Sequence, residues 1–387
     1  MKPKVLGVSG VFPRTKRPSF GTFAYSLFKE INKQGAEVSV IAPYPISRKL
    51  YEIIDKAGKK KNIKIDYKYF KTILRPSTFS VSTRLLPISY IKKHNFKSFI
   101  NSVCRASKRI KTPDWILAYF FDAGCAALEA FCGEIPVFVE IGESNFYAYE
   151  EFMKYQEIKN YLNKYTGIIA VSEGNKKIIE NYLYDEQKII LLENGVDIEI
   201  FHPVDKIEAR KLLGFPQDIV IVGFVGAFIE RKGPLRLLEA INKLNKKNIY
   251  AVFIGRGQQI PRGQKILFCG EIPNEILPLY LSSFDAFCLP SLQEGLSVAI
   301  LEAAACGLPL IVSDRPFNRS FLSEENAVFI DPESPEDIAR AINYLLGNKA
   351  LINKMILNNL ELAKKHSLSI RVRKLFDFVN RRMRYEN

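Results

Sequence analysis

The sequence predicts an α/β protein made of two doubly wound domains in series, each with a mostly parallel sheet covered by helices on both faces. Length is the first reason, because 387 residues exceed what one hydrophobic core usually organises. Short apolar runs alternate with amphipathic segments, a pattern typical of strands alternating with helices. The alternation restarts in the second half of the chain, which predicts a second domain of the same kind.

The first half begins with an apolar run at residues 4–9, which Gly10 and Pro13 interrupt too soon for a signal peptide. We interpret this run as a buried strand. Gly35 ends the helix that follows. The predicted strands of this half cover residues 4–9, 37–42, 115–119, 137–140 and 167–171, and its predicted helices cover 22–33, 123–131 and 173–182.

The second half contains a nearly all-apolar run at residues 220–225, as expected for a strand buried on both faces. A polar stretch bounded by Pro203 and Pro216 precedes it and is predicted to be the linker region. The predicted strands of this half cover residues 189–192, 220–225, 250–255, 266–269, 286–289 and 309–313, and its predicted helices cover 234–244, 299–305 and 335–346.

Composition indicates a soluble globular protein, with 47% apolar and 25% charged residues. No apolar run approaches the roughly 18 residues that a membrane-spanning helix needs. The six cysteines show no CxxC pairing and lie mostly in apolar surroundings. This usage favours reduced thiols in a cytoplasmic protein over disulfides.

The net charge of +15 is concentrated in part of the chain. No acidic residue occurs between Asp66 and Asp114. Such a patch attracts phosphate, whether on nucleic acid, an anionic lipid or a charged small molecule, and the alternative is a solvated face without a partner. The cations of this stretch are Lys68, Lys71, Arg75, Arg84, Lys92, Lys93, Lys97, Arg105, Lys108, Arg109 and Lys111.

The most informative motif runs from Asp285 to Asp314, where a predicted strand ends at Pro290 and a helix begins near Ser297. Glu294 lies in the intervening loop, and Glu302 lies on the helix about two turns further along. A helix N-terminus suits a phosphate or a sugar hydroxyl, and a carboxylate suits the paired hydroxyls of a ribose. Taken alone, the two glutamates are better explained as a solvated loop residue and a helix residue without a capping role.

The whole block resembles the donor-site signature of family 4 glycosyltransferases (glycosyl transferases group 1), whose hallmark is two glutamates separated by seven residues. The resemblance implies the GT-B fold, with two Rossmann-like domains facing each other across a cleft, and sugar transfer with retention at the anomeric carbon. It implies that Glu294 contacts the donor sugar and that Glu302 binds the ribose. It also implies that backbone N–H groups of Gly295, Leu296 and Ser297 lie near the sugar and the diphosphate.

A second motif, from Gly226 to Gly233, follows the buried strand at residues 220–225. Arg231 and Lys232 would by themselves be interpreted as surface charges, but Lys232-Gly233 matches a Lys-Gly pair of the family. The resemblance therefore implies that these cations neutralise the diphosphate leaving group. Many members carry Arg directly after the first glycine, where this chain has Ala227, and we expect Arg231 to replace it.

Three further positions complete the predicted site. Gly21 and Thr22 open a helix after the first strand and resemble the family's N-terminal glycine loop, which faces the donor phosphates. Gly270 and Glu271 are predicted donor-binding residues of the second half. Many family members have a histidine near the reacting sugar where this chain has Gly142. Glu143, Ser144 or Asn145 could fill that space, and Glu143 is our first choice as a catalytic residue.

The resemblance implies that domain 1–187 binds the acceptor, that domain 188–368 binds the nucleotide sugar, and that a final helix at 369–387 crosses back to the first domain. The implied reaction transfers a hexose to a glycan or lipid-linked acceptor in cell-surface polysaccharide synthesis, such as that of lipopolysaccharide. A UDP-sugar is the favoured donor and GDP-mannose the alternative. No Asp-x-Asp occurs, so we expect no metal and no cofactor.

Two other functions are alternatives to this interpretation. A nucleotide-sugar epimerase would share the fold, whereas a nucleic-acid-binding protein would explain the positive charge. The basic stretch lacks the regular aromatic interleaving of a nucleic-acid platform, so we expect no nucleic-acid partner. We expect instead a cytoplasmic protein bound peripherally to the anionic inner face of a membrane.

Overall fold

A computed structural model describes residues 2–14, 20–45, 67–79, 86–142, 146–244 and 246–385. The chain divides into two compact units. The first unit combines Met1–Glu193 with Arg371–Asn387, and the second is the continuous segment Asn194–Ile370.

Strands and helices alternate in both units. The strands are β1 (Lys4–Ser9), β2 (Glu37–Ile41), β3 (Tyr44–Pro45), β4 (Thr72–Leu74), β5 (Ser77–Thr78), β6 (Trp115–Tyr119), β7 (Val137–Ile141), β8 (Gly167–Ala170), β9 (Ile189–Leu191), β10 (Val220–Val225), β11 (Ile249–Ile254), β12 (Ile266–Gly270), β13 (Ala286–Leu289), β14 (Leu310–Ser313) and β15 (Ala327–Ile330). The helices are α1 (Thr22–Lys33), α2 (Ile88–Ser107), α3 (Phe121–Ala130), α4 (Tyr155–Lys164), α5 (Glu173–Glu180), α6 (Lys206–Leu213), α7 (Pro234–Lys243), α8 (Leu277–Ser282), α9 (Val298–Ala305), α10 (Pro316–Arg319), α11 (Pro335–Leu346), α12 (Lys349–Lys365) and α13 (Leu368–Tyr385).

In the described part of the first unit, seven strands form one parallel sheet in the order β4-β2-β1-β6-β7-β8-β9. Every residue of β6 and β7 is buried. Helices on both faces of a parallel sheet exclude water from its strands, which explains their continuous apolar runs. Strands β3 and β5 form a separate, short parallel pair.

The second unit contains a six-stranded parallel sheet, counted over the residues described, in the order β12-β11-β10-β13-β14-β15. Its central strand β10 is the apolar run predicted at residues 220–225. The predicted α/β class with doubly wound parallel sheets is therefore confirmed.

The division between the units differs from the predicted one at 187/188. Strand β9, which we placed in the second domain, pairs in parallel with β8 through Ile168↔Ile189 and Ala170↔Leu191. It therefore completes the first sheet, and the first unit continues to Glu193. The unit to which β9 belongs is fixed by its pairing with β8, and the three residues of β9 alone do not predict that pairing.

The last helix, α13, contributes to the first unit from Arg371 onward. Val372, Leu375, Phe378 and Val379 are buried in the same apolar cluster as Trp115. The aromatic ring of Phe378 lies 5.9 Å from that of Phe138 on β7, centroid to centroid. The final segment of the chain therefore completes a core that the N-terminal residues begin.

The predicted linker between Pro203 and Pro216 is wrong, because α6 lies within it. The Asp205 side chain caps this helix at its N-terminus, and Gly214, with φ of 69°, ends it. Arg210 on α6 is buried and holds Asp285 through an Nη2–Oδ2 ion pair of 2.6 Å. The segment is polar because its charged residues form these bonds, and this polarity made it resemble a linker.

Across the described ranges, no helix is both long enough and apolar enough to cross a membrane.

Candidate active site

The loop after β10 is held by backbone contacts with the loop after β11. The amide of Phe228 donates to the carbonyl of Arg256 at 2.7 Å, and the amide of Gln259 donates to the carbonyl of Phe228 at 2.9 Å. A Cβ atom on Gly257 would lie 2.1 Å from the Phe228 carbonyl oxygen, and one on Gly255 would lie 1.8 Å from that of Gly226. Only glycine permits this approach, so Gly255-Arg256-Gly257 is a packing motif of the site.

This loop brings three of the predicted residues into contact. Lys232 Nζ lies 2.5 Å from Oε1 of Glu294, and Arg231 Nη1 lies 3.3 Å from Oε2. The Leu292 amide donates to the carbonyl of Arg231 at 2.7 Å, and the Arg231 guanidinium donates to the carbonyl of Gln293. The loops after β10 and β13 are therefore joined into one cationic cluster around a single carboxylate.

Burial decides the electrostatics of this cluster. The Glu294 side chain is only 8% exposed and that of Lys232 is 14% exposed. Burial lowers the pKa of Lys232, and the Glu294 carboxylate partly offsets that effect. Two cations face one carboxylate here, so the cluster can accept further negative charge.

The N-terminus of α9 follows directly after Glu294. Ser297 is its N-cap residue, but the Ser297 side chain makes no capping bond, which leaves amide N–H groups of the first turn for a ligand. Asn194 Nδ2 donates to the carbonyl of Leu296 at 3.0 Å and so fixes the loop that contains Gly295. The predicted donor-binding backbone therefore has a defined position beside the cationic cluster.

Glu302 lies two turns further along the chain, on α9. Burial raises the pKa of this carboxyl group to about 8. Among the residues described, no partner holds the carboxyl group through a hydrogen bond or an ion pair. At neutral pH it is therefore largely protonated, and it keeps its full bonding capacity for a ligand.

Gly270 and Glu271 lie at the carboxyl end of β12. The Gly270 carbonyl accepts a bond from the Gly255 amide at 2.9 Å. Glu271 Oε1 lies 3.4 Å from Nε of Arg256. β12, β11, β10 and β13 are consecutive neighbours in the sheet, so all predicted residues of the second unit lie along one edge. This edge, at the carboxyl ends of the strands, is where open parallel sheets bind ligands.

Gly21 and Thr22, two predicted residues of the first unit, lie at the corresponding edge of their own sheet. Gly21, with φ of 73°, is the N-cap of α1, and Thr22 is the first residue of that helix. A Cβ atom on Gly21 would lie 2.5 Å from the backbone carbon of Val11. Glu143, the predicted catalytic residue of this half, lies outside the described residues, as do Ser144 and Asn145.

Sequence reasoning missed Asp122, which lies at the same edge of the first sheet, after β6. Its Oδ1 accepts a bond from the Ala123 amide at 2.8 Å, and burial raises its pKa to about 6. Phe120, two residues earlier, has φ of 80° and ψ of 157°, a conformation that is essentially restricted to glycine and costs about 1–3 kcal/mol. The position of an aspartate just after an apolar strand was the signal that could have identified it.

In the described part of the chain, no three His, Cys, Asp or Glu side chains are grouped so that they could hold a metal ion.

Two units, each with a parallel sheet and with polar side chains at the carboxyl ends of its strands, are characteristic of the GT-B fold. Two solved structures share this fold along the chain: sucrose-phosphate synthase from Thermosynechococcus elongatus (TM-score 0.74, 17% identity, 98% of this chain and 99% of that one) and Anabaena HepE in complex with UDP and glucose (TM-score 0.72, 15% identity, 98% and 99%).

Sequence comparisons match a segment of the chain to a family model and larger parts of it to curated glycosyltransferases. Residues 205–361 match the family model described as glycosyl transferases group 1. TuaC of Bacillus subtilis, named as a teichuronic acid biosynthesis glycosyltransferase, is 27% identical over 350 residues, which are 88% of either chain. The Escherichia coli UDP-Gal:alpha-D-GlcNAc-diphosphoundecaprenol alpha-1,3-galactosyltransferase is 32% identical over 181 residues, covering 41% of this chain and 46% of that protein. The matched segment is therefore similar to the glycosyl transferases group 1, and the chain is a glycosyltransferase of glycan synthesis.

Proposed function

We propose that this enzyme is a retaining hexosyltransferase that uses a nucleotide diphosphate sugar and acts on a hydroxyl group of a glycan or lipid-linked acceptor in cell-surface polysaccharide synthesis. The observation that carries the proposal is the cluster of Arg231, Lys232 and Glu294. Its two cations can bind a diphosphate, and its carboxylate can bind the sugar. The cluster lies at the edge of the parallel sheet where ligands bind.

The chemistry requires stabilisation of negative charge on the diphosphate as the glycosidic bond loosens. Arg231, Lys232 and the N-terminus of α9 supply it through fixed charges and dipoles, without a metal ion. Glu294 holds the transferred sugar, and Glu302 binds the ribose hydroxyls. The acceptor hydroxyl attacks from the side of the leaving group, whose phosphate takes up the proton, and the anomeric configuration is retained.

A UDP-sugar is the proposed donor, and GDP-mannose is the alternative. Support comes from the names of similar proteins: HepE binds UDP and glucose, and the E. coli relative uses UDP-Gal. The test is a thermal-shift screen of UDP-, GDP- and ADP-sugars, because a ligand of the folded state raises its apparent stability. NMR of the product then gives its anomeric configuration.

We expect stabilisation by one nucleotide class and a product with the configuration of the donor. An inverted product, or no stabilisation by any nucleotide sugar, would contradict the proposal. Conversion of the donor into an isomer without any acceptor would indicate an epimerase instead.

We also propose that the first unit docks on the anionic inner face of a membrane, where a lipid-linked acceptor is presented. The described part of the basic stretch includes α2, on which Lys93 and Lys97 are exposed, whereas Lys92 pairs with Glu151 at 2.5 Å. Ile88 and Tyr90, at the beginning of this helix, are 68% and 56% exposed. Each cation near an anionic surface contributes about 1 kcal/mol, and exposed apolar side chains add shallow insertion.

Co-sedimentation with liposomes tests the docking. Binding should require anionic lipid and weaken with salt, because charges are screened over roughly 8–10 Å at physiological ionic strength. Lys93→Ala/Lys97→Ala should reduce binding, and the control Lys364→Ala/Lys365→Ala on α12 should not. Equal binding to neutral liposomes, or none to anionic ones at low salt, would favour a soluble acceptor.

A further inference from the structure

The carboxyl edge of the first sheet contains a second cationic cluster, separate in sequence from the residues of the donor site. Arg75 directly follows β4, and Arg14 lies in the loop after β1. Strands β4, β2 and β1 are neighbours in the sheet, so their carboxyl ends bring these two distant arginines to one side. Tyr44, after β2, and Tyr67 lie beside them.

The contacts of Arg75 leave most of its guanidinium unused. Nη2 donates to the Pro13 carbonyl at 2.8 Å and to the Tyr67 hydroxyl at 3.0 Å, and this hydroxyl donates to the same carbonyl at 3.2 Å. Within the described ranges, Nε and Nη1 of Arg75 have no partner and no carboxylate pairs with the group. The side chain is half-buried, with its guanidinium carbon 5.7 Å from the centroid of the Phe12 ring.

Arg14 places a second guanidinium close by. It is only 9% exposed, and its guanidinium carbon lies 4.4 Å from the ring centroid of Tyr44 and 5.8 Å from that of Phe20. Arg14 and Arg75 both act on the Tyr67 hydroxyl and lower its pKa, although burial raises that pKa overall. Two guanidinium groups therefore lie within electrostatic reach of one hydroxyl.

An anion with two oxygens would fit the Nε–Nη1 edge of Arg75, because the planar guanidinium of arginine matches a carboxylate or a phosphate. The aromatic rings add cation–π attraction to both guanidinium groups, and the positive charge of Arg14 adds long-range attraction for the anion. The rings of Tyr44 and Phe20 would give such a ligand an apolar flank.

We propose that Arg75, together with Arg14, binds an anionic group of the acceptor, the carboxylate of a sugar acid or the phosphate of a phosphorylated sugar. The acceptor is then a charged sugar, and this unit recognises its charge while the second unit binds the donor. The inference deepens the proposed transferase function and rests on it.

The test is calorimetric titration of the full chain with three probes: glucuronate, glucose 6-phosphate and neutral glucose. Each titration is run on wild type and on Arg75→Gln, with and without the nucleotide found in the screen, so that binding of a probe at the donor site is separated from binding at Arg75. We expect one or both charged probes to bind at least tenfold more tightly than glucose, and Arg75→Gln to abolish this preference. The ratio between the two charged probes distinguishes a carboxylate from a phosphate as the natural group.

The matched control is Arg105→Gln, which removes an exposed arginine of α2 bonded to the carbonyl of Ser77 and should keep the preference. Glucose binding as tightly as the charged probes, or Arg75→Gln behaving as wild type, would overturn the proposal. If Arg75→Gln does not fold, Arg75→Lys replaces it, since it keeps the charge but loses the fork. We expect the affinity of Arg75→Lys for the charged probes to be several-fold lower than that of wild type, and unchanged affinity would overturn the proposed site.

Failure of this site and failure of the transferase proposal have different signatures. Absence of binding of every nucleoside diphosphate tested, with the charge preference intact, would contradict the transferase function and leave the anion site standing. Normal UDP binding by wild type and Arg75→Gln, without any preference for charged sugars, would reduce Arg75 to a structural link between Pro13 and Tyr67.

Discussion

Lys232 provides the most direct test of the donor site at the scale of single residues. Lys232→Ala removes the Nζ group that lies 2.5 Å from Glu294 and would contact the diphosphate. Loss of a charge-assisted bond costs about 1.5–3 kcal/mol, equivalent to a rise of roughly 10- to 150-fold in the Kd of the nucleotide. Calorimetric titration with UDP, or with the nucleotide found in the screen, measures this rise. Lys243→Ala, on the exposed face of α7, is the control, and unchanged affinity and turnover would refute the assignment.

Glu302 predicts a pH dependence with a definite sign. Its pKa is about 8 in the free protein, so it is mostly protonated at pH 7. If the carboxylate form accepts bonds from the ribose hydroxyls, nucleotide binding releases a proton and affinity rises up to about pH 8. Titration in buffers of different ionisation enthalpy at pH 7 measures the release.

Two variants check this assignment. Glu302→Gln should abolish the proton release and weaken binding of the free nucleoside diphosphate. Glu294→Gln should retain the proton release and the affinity for the free nucleoside diphosphate, and it should chiefly slow sugar transfer. The opposite pattern would mean that the two glutamates exchange roles.

Single residues also show how far sequence could lead. The Arg231–Lys232–Glu294 cluster was predictable because each member follows a strand, and the carboxyl ends of parallel strands meet at one edge. Asp122 and Arg75 were not predicted as site residues, although both also follow strands. Their significance depends on burial and on which strands are neighbours, and both are properties of the folded chain.

Among the elements, α6 offers a test of stability in the second unit. Arg210 bonds the carbonyls of Ser283, Gln217 and Ile219 as well as Asp285. Arg210→Met keeps the apolar stem but leaves these buried groups unpaired, which should cost about 3–5 kcal/mol of unfolding free energy. Urea unfolding followed by circular dichroism measures the loss. Arg262→Met, at an exposed position, should change stability by less than about 0.5 kcal/mol.

The elements that were predicted well are those whose own residues determine them. β10 and β13 are apolar runs with polar ends, and their predicted bounds agree with the observed ones. α2 was not predicted, because lysines interrupt its apolar positions and much of it is only half-buried. β9 was assigned to the wrong unit, since its position is fixed by pairing with β8.

For the whole molecule, the contribution of α13 to the first unit can be measured. Trp115 is the only tryptophan of the chain and lies in the core cluster that α13 joins, so its fluorescence reports on the first unit. Phe378→Ala opens a cavity beside Phe138 and Gly167 and should cost about 3–5 kcal/mol. The urea midpoint seen by fluorescence should fall. Leu357→Ala, at a site 66% exposed on α12, should leave it unchanged, and an unmoved midpoint in Phe378→Ala would refute the role of α13.

The discontinuous first unit has a consequence for how a ribosome must produce this protein. The 177 residues from Asn194 to Ile370 separate the two parts of that unit. At translation rates of about 5–20 residues per second, the nascent N-terminal sheet waits roughly 10–35 s for α13. During that time the face that α13 covers, which includes Trp115 and Phe138, is open to chaperones and to other nascent chains. The second unit, although synthesised later, is continuous and can finish folding first.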